Sequence, residues 1–417
     1  YEDGAFTRDF LEAHPHVMID TRYFDQPFVD TLLGHLSDLD DEGLSAVVGG
    51  LCVQGENFQA LNLLRERFKK KVDCVYIDPP YNTGNDNFVY KDSYRHSTWM
   101  AMMEDRMRAA RGLLSRSGVY FASVDDVEQE KLRTLLDYTF GEDNFLAHIV
   151  WQKRYVSNAT AKYLSDMHDH IFFFGRDKEK VQVSKWPRTE EQLEAYQNPD
   201  DDPRGPWRPQ DLSASKPYSK GQYTIVTPAG REVDPPPGRY WRCSKEQYEE
   251  WFEDDRIWFG KDGTGRPMLK GFLSESQDGV TPHTWWDYDF AGHNKGAKLH
   301  IKSLFGNKEP YSTPKPVELL EKIVDTTEGE EDLVLDYFAG SGTTGEAVVN
   351  LNREEDFGHS YFLIEMGDYF DTVMLPRLKK VVFTNEWNEG VPQDRNGQSH
   401  VIKYHRLESY EDALNNI

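Results

Sequence analysis

The stretch Val72-Asp73-Cys74-Val75-Tyr76-Ile77-Asp78-Pro79-Pro80-Tyr81-Asn82-Thr83-Gly84 joins an apolar, strand-like run to a turn-forming segment. By average residue usage, a chain of 417 residues contains Asp-Pro-Pro-Tyr by accident only about once in several hundred cases. The four residues suit one task. An amine on an aromatic ring is a weak nucleophile because its lone pair is delocalised. A carboxylate (Asp78) and the carbonyl of Pro79 beside it can accept both amine hydrogens and turn the lone pair toward an electrophile. Pro79 and Pro80 fix φ and stiffen that carbonyl. Tyr81 offers a flat face to a base swung out of a duplex. Taken alone, the tetrapeptide is also readable as a Pro-rich turn after a buried strand, with Tyr81 as a packing residue.

A second signal stands far downstream, Phe338-Ala339-Gly340-Ser341-Gly342-Thr343-Thr344-Gly345, between the apolar run Leu333 to Leu335 and the helical stretch Ala347-Val348-Val349. Strand, glycine loop and helix in that order make a nucleotide-cofactor site. The glycines let backbone approach the ligand, and the helix start presents free N–H groups. Glu365, 20 residues beyond Gly345 and at the end of the run Tyr361 to Ile364, is placed to bind ribose hydroxyls. Gly340, Gly342 and Gly345 also satisfy G-x-G-x-x-G, so a nicotinamide dinucleotide competes for this reading.

Taken together, the two motifs resemble those of the β class of S-adenosylmethionine (SAM)-dependent DNA amino-methyltransferases, and within it the modification (Mod) subunits of type III restriction systems. The similarity rests on YIDPPYNTG (76–84), GVYFASVDD (118–126), YSTPKPVELL (311–320) and LVLDYFAGSGTTG (333–345). The resemblance implies methyl transfer from SAM to N6 of an adenine flipped out of double-stranded DNA. It assigns catalysis to Asp78, Pro79, Pro80 and Tyr81. Lys315, Asp336, Phe338, Gly340, Ser341, Gly342, Thr343, Thr344, Glu365 and Asn57 are assigned to the cofactor. The family often has Gly-Asp-Asn where this chain has Gly55-Glu56-Asn57. The partners implied are DNA, a second copy of the chain, and a restriction subunit carrying helicase and nuclease. N4-cytosine methylation, which uses the same geometry, a recognition subunit without catalysis, and a dehydrogenase are the alternatives.

Composition sets the outer limits. A 38% hydrophobic and 13% aromatic content argues for packed cores. No apolar run reaches membrane-spanning length, and the first residue, Tyr1, reads as a trimmed start. Cys52, Cys74 and Cys243 form neither a disulfide framework nor a metal spacing, which implies a reducing, cytoplasmic setting with no metal. The net charge of −24 is unusual for a DNA-binding protein. Local sign decides that question, and Lys153, Arg154, Lys295, Lys298 and Lys302 border the middle of the chain as candidate DNA contacts. His283, His293 and His300 read as structural or phosphate-facing, and Trp285 and Trp286 as core or interface.

The element order predicts a doubly wound, Rossmann-like α/β sheet with an inserted, partly β target-recognition domain. The expected divisions are an N-terminal extension (1–50), a catalytic half (51–156), the target-recognition domain (157–301), a SAM-binding half (302–385) and an acidic tail (386–417). A helix over Thr98 to Leu114 should bury a Met-rich stripe, and Asp125-Asp126 should cap the helix that follows the next strand.

Overall fold

The computed structural model describes residues 18–38, 47–83, 94–276, 279–355 and 357–408. Gly84, the end of the opening motif, and most of the acidic run Asp38 to Glu42 lie outside them. Two compact units emerge, one formed by 1–184 with 282–417 and the other by Lys185–Thr281.

The larger unit is built on a nine-stranded sheet. We number its strands β1 (Val48–Gln54), β2 (Val72–Ile77), β3 (Leu114–Val124), β4 (Phe145–Trp151), β5 (Asp169–Gly175), β6 (Trp285–Trp286), β7 (Leu333–Asp336), β8 (Ser360–Glu365) and β9 (Val401–Arg406). Their order is β6-β4-β5-β3-β2-β7-β8-β1-β9. β5 runs antiparallel to β3 and β4, and every other pairing is parallel. Parallel strands covered on both faces need unbroken apolar runs. β2 and β8 have them, with Cys74 to Ile77 and Tyr361 to Ile364 all buried. From β2 the chain winds toward β3, and from β7 toward β8. The order therefore reverses between the adjacent strands β2 and β7, and a crevice outside their carboxyl ends is where doubly wound sheets bind ligands.

The helix His96–Leu113 covers this sheet with Trp99, Met103, Met107, Ala110 and Leu113 buried. It is the expected Met-rich stripe, except that Leu114 already opens β3 and Met102 is only half-buried. Asp125 and Asp126 do not cap the helix Gln129–Phe140. Its N-cap is Glu128, while Asp125 accepts the Val127 N–H at 2.9 Å, closing the turn before the helix.

The smaller unit carries a three-stranded antiparallel sheet of Ile257–Trp258, Met268–Phe272 and Trp207–Asp211, with two short strand pairs. Its core gathers Leu212, Ile225, Val233, Trp241, Cys243, Tyr248, Ile257 and Phe259. Lys270 is buried there, and three carboxylates, Asp200 (2.6 Å), Asp202 (3.0 Å) and Asp255 (3.2 Å), neutralise its ammonium.

Two boundaries differ from expectation. The compact insert is 185–281 rather than 157–301, because β5 and β6 pair with the main sheet and Ala297, Ile301 and Leu304 of the helix Asn294–Leu304 are buried. The region expected as an acidic tail contributes β9, whose pairing with β1 extends that edge of the sheet. No helix among the described residues is long and apolar enough to cross a membrane.

Met103 is fully buried and Leu63 is 68% exposed. Met103→Ala should lower the unfolding free energy by about 2–5 kcal/mol, and Leu63→Ala by no more than about 0.5 kcal/mol, as read by chemical denaturation.

Candidate functional site

β2 ends at Ile77, so Asp78 is the first residue beyond the sheet, and the next three extend over its carboxyl edge. The turn is braced from outside. The Trp99 indole N–H donates to the Pro80 carbonyl at 2.7 Å. Asn82 adopts a left-handed φ of 60°, which Asn tolerates better than most residues. Its amide donates to Glu128 at 2.6 Å and accepts the Tyr94 N–H at 2.6 Å.

One ammonium organises the tetrapeptide. Lys315 Nζ lies 2.7 Å from Asp78 Oδ1 and donates to the Tyr81 hydroxyl at 2.8 Å. Asp169, the first residue of β5, stands behind them: its carboxylate is 3.9 Å from Lys315 and accepts from Tyr81 at 3.4 Å. Burial, reinforced by Asp169 and Asp78, raises the Tyr81 phenol well above its ordinary pKa, so it stays neutral. Lys153 completes the cluster, paired with Asp166 at 2.6 Å and Asp169 at 2.7 Å.

On the neighbouring strand β7, Asp336 ends the apolar run and holds the glycine turn from beneath. It accepts the Phe338 N–H at 2.9 Å and the Thr344 hydroxyl at 2.6 Å. Gly340 (φ 55°) and Gly342 (φ 82°) occupy left-handed conformations. A Cβ at Gly340 would also stand 2.8 Å from the Tyr311 hydroxyl. Both demands select glycine. Glu365, at the end of β8, is buried and accepts N–H groups from Gly340 and Gly367, each at 2.8 Å. Asn57 donates to the Tyr337 carbonyl at 2.8 Å and accepts from Arg106, which also pairs with Glu56. Glu56 in turn accepts the Gln59 N–H at 3.0 Å and caps the helix Asn57–Leu63.

Beside them lies a partly open cavity whose walls include Asn57, Pro80, Phe338, Ile364, Glu365 and Met366. Pro80 and Phe338 come from the two separate motifs, and they meet on one space. Apolar walls with a carboxylate and an amide among them suit a nucleoside. Asp78 and Asp336 lie at the ends of the two adjacent strands, Asp78 paired with Lys315 and Asp336 buried beneath the glycine turn. The residues present therefore fit an adenosyl sulfonium cofactor.

The residues expected to contact DNA have these partners in the structure. Lys153 is buried, because its two carboxylate partners compensate an ammonium withdrawn from water. Lys298 and Lys302 both pair with Glu309, at 3.1 Å and 3.0 Å. Lys295 donates to the Tyr155 hydroxyl at 3.0 Å, and Arg154 is exposed. His293 accepts the Gly296 N–H at 3.0 Å and caps the helix Asn294–Leu304.

Sequence reasoning missed Asp169 and Arg377. Arg377 is fully buried, pairs with Glu346, and donates to the Ser341 hydroxyl at 2.7 Å and the Thr343 hydroxyl at 2.8 Å. His300 approaches the other Glu346 oxygen at 2.5 Å. Burial works to raise the Glu346 carboxyl, but Arg377 and His300 more than offset it and hold it at about 2. In sequence Arg377 is one of three cations in Leu375 to Val382, with Lys379 and Lys380, and nothing local marks it as the buried one.

A family model described as DNA methylase matches residues 72–374. The chain is 33% identical to the Mod subunit of the type III restriction-modification enzyme StyLTI of Salmonella typhimurium, over 75% of this chain and 52% of that one. It is 28% identical to the EcoPI Mod subunit of Escherichia phage P1, over 76% and 57% respectively. Against the type II methyltransferase M.KpnI of Klebsiella pneumoniae the identity is 27%, over 80% and 83%. The chain thus spans about half the length of the Mod relatives it matches. Among solved structures, the M1.HpyAVI–SAM complex aligns with a TM-score of 0.39 at 14% identity, covering 79% of this chain and 98% of that one.

Two outcomes follow from the buried groups. Burial pushes the Asp336 carboxyl up to about 7. The unfolded chain releases that proton near about pH 4, so between the two values the folded state holds one more proton and stability falls as pH rises, by up to about 1.4 kcal/mol per unit. Asp336→Asn should remove this component, which denaturation of ligand-free parent and variant across the window would reveal as a stability difference that changes with pH. Arg377→Leu leaves Glu346 buried with His300 alone and should cost about 3–5 kcal/mol on the same assay, with Arg377→Lys falling between.

Proposed function

Because the chain belongs to the DNA methylase family, we propose that it transfers a methyl group from SAM to N6 of adenine in double-stranded DNA, as the modification subunit of a restriction-modification system. The observation that carries this reading is the meeting of Pro80 and Phe338 on one cavity, beside the Lys315 ammonium that holds Asp78 and Tyr81 together.

Asn57, Phe338, Ile364 and Glu365 hold the adenosine, with the Glu365 carboxylate toward the ribose hydroxyls. Lys315, Asp336 and the turn Gly340 to Thr344 hold the methionine end. SAM, when bound, supplies a methyl group already activated by its attachment to a sulfonium. The target adenine leaves the stack and lies against Tyr81, whose ring Lys315 fixes from one side at 4.8 Å from the centroid. Asp78 and the Pro79 carbonyl accept the two N6 hydrogens and localise the lone pair. Positioning and charge placement then do most of the catalysis, and the N6 proton departs after transfer has made the nitrogen acidic. Aspartate at the head of the tetrapeptide and the likeness to Mod subunits favour adenine over cytosine. A separate restriction subunit is the partner this reading implies.

Asp78→Ala should retain SAM binding by calorimetry while its transfer of labelled methyl to DNA falls by about 100-fold or more. Digestion of DNA methylated by the parent protein should release N6-methyladenine. Release of N4-methylcytosine would overturn the base assignment, and full activity of the variant would overturn the role of Asp78.

A further inference from the structure

The connection between β4 and β5 ends at Asp169, which touches Lys315 and Tyr81, and its tip is built unlike the rest of the surface. Leu164 is 92% exposed and Tyr163 is 84% exposed, the highest values for large apolar side chains among the described residues, and the two are adjacent. Val156 on the same loop is 62% exposed. Exposed apolar groups clustered in this way mark a binding surface more often than a chance exposure does.

The base of the loop is pinned on both sides. The Gln152 N–H donates to Trp286 at 2.7 Å, the Lys153 carbonyl accepts from Asn294 at 3.0 Å, and the Arg154 N–H donates to Met167 at 3.3 Å. Higher up, the Asn158 N–H donates to Ser165 Oγ at 2.7 Å, and the Asn158 side chain accepts from Thr160. These bonds hold the tip out from a fixed base, so the exposure of Tyr163 and Leu164 is a property of the loop's own folding. The loop is also locally basic. In a chain of net charge −24 it carries Arg154 and Lys162 at the surface, and Lys162 lies 5.0 Å from the centroid of the Tyr163 ring. An apolar tip flanked by cations, on the loop that ends at Asp169, matches a polyanion with an apolar interior.

We propose that Tyr163 and Leu164 form a wedge that enters the DNA duplex and fills the space left by the extruded base, with Arg154 and Lys162 on the flanking phosphates. This rests on the functional reading above and deepens it. Large apolar side chains are the groups that stabilise an opened base step, since they replace lost stacking without requiring hydrogen bonds. The wedge acts on extrusion and not on the chemistry of methyl transfer, which makes its contribution separable. An enzyme without a wedge carries the full cost of unpairing a matched target, and that cost is least when the target base is mispaired.

The test uses the full chain and two duplexes carrying the target site mapped from methylated DNA, one matched and one mispaired at the target adenine. Single-turnover rates are measured for the parent, Leu164→Ala and Tyr163→Ala/Leu164→Ala. Both side chains are solvent-exposed, so folding and SAM binding should be unchanged. On the matched duplex the double variant should be slower by about 10-fold or more, and on the mispaired duplex it should be within about 2-fold of the parent. 2-Aminopurine at the target position should brighten on parent binding and less on variant binding. Equal rates for parent and variants on the matched duplex would overturn the wedge, and so would an equal loss on both duplexes. A parent that methylates neither duplex would overturn the functional reading and the wedge with it.

Discussion

The site depends on a shared ammonium. Lys315 Nζ sits within 2.8 Å of both the Asp78 carboxylate and the Tyr81 hydroxyl, and it belongs to the segment that leads into the helix Val317–Val324 and so toward β7. A carboxylate at the end of a buried strand is costly without a positive partner, and a phenol beside two carboxylates resists ionisation. Lys315 supplies the positive partner for Asp78 and donates to the neutral Tyr81 hydroxyl at the same time. It also ties the two halves of the chain's chemistry, because the residue that steadies the tetrapeptide is the one adjoining the glycine turn through its carbonyl, which accepts from the Thr343 hydroxyl at 3.4 Å.

The sheet order makes this possible. β2 and β7 are far apart in sequence yet adjacent and parallel, so their carboxyl ends open on the same side and the chain leaves them in opposite directions. The motifs on those ends face one space with no need for a connecting loop. Behind the glycine turn, the half-buried His300 and the buried Glu346 and Arg377 form a chain of contacts that reaches Ser341 and Thr343. A turn rich in left-handed glycines has little stiffness of its own, and the fixed hydroxyl positions supply it.

The parts of this arrangement legible in the sequence are those whose residues answer a local demand. Left-handed backbone at Gly340 and Gly342, a stiffened turn at Pro79 and Pro80, and burial on both faces of β2 each leave a mark within a few positions. The same holds for the helical spacing of Trp99, Met103 and Met107. Partnerships made across long separations leave none. Asp169 reads as an acid before an apolar run, and only pairing with β3 and β4 brings it behind Tyr81. The run Ile171 to Phe174 announces a strand without saying which neighbours it has, which is why an insert expected to begin at 157 proved to begin after β5. Val401 to Tyr404 likewise lacks any local signal that it would pair with β1.

Charge shows the same distinction with more consequence. Clustered cations in a sequence suggest a footprint for DNA, but a cation buried against internal acids is withdrawn from the surface, while one in an exposed ion pair is held only weakly. Lys298 and Lys302 share Glu309, and Lys153 is enclosed by Asp166 and Asp169. Part of the acid excess therefore serves to hold lysines, of which Lys153 adjoins the site through Asp169. Arg154 makes no ion pair among the described residues, and it stands on the loop that carries Leu164 and Tyr163. Where free positive charge and exposed apolar surface coincide on the loop that ends at Asp169, the local electrostatics suit a polyanion even though the chain as a whole is acidic.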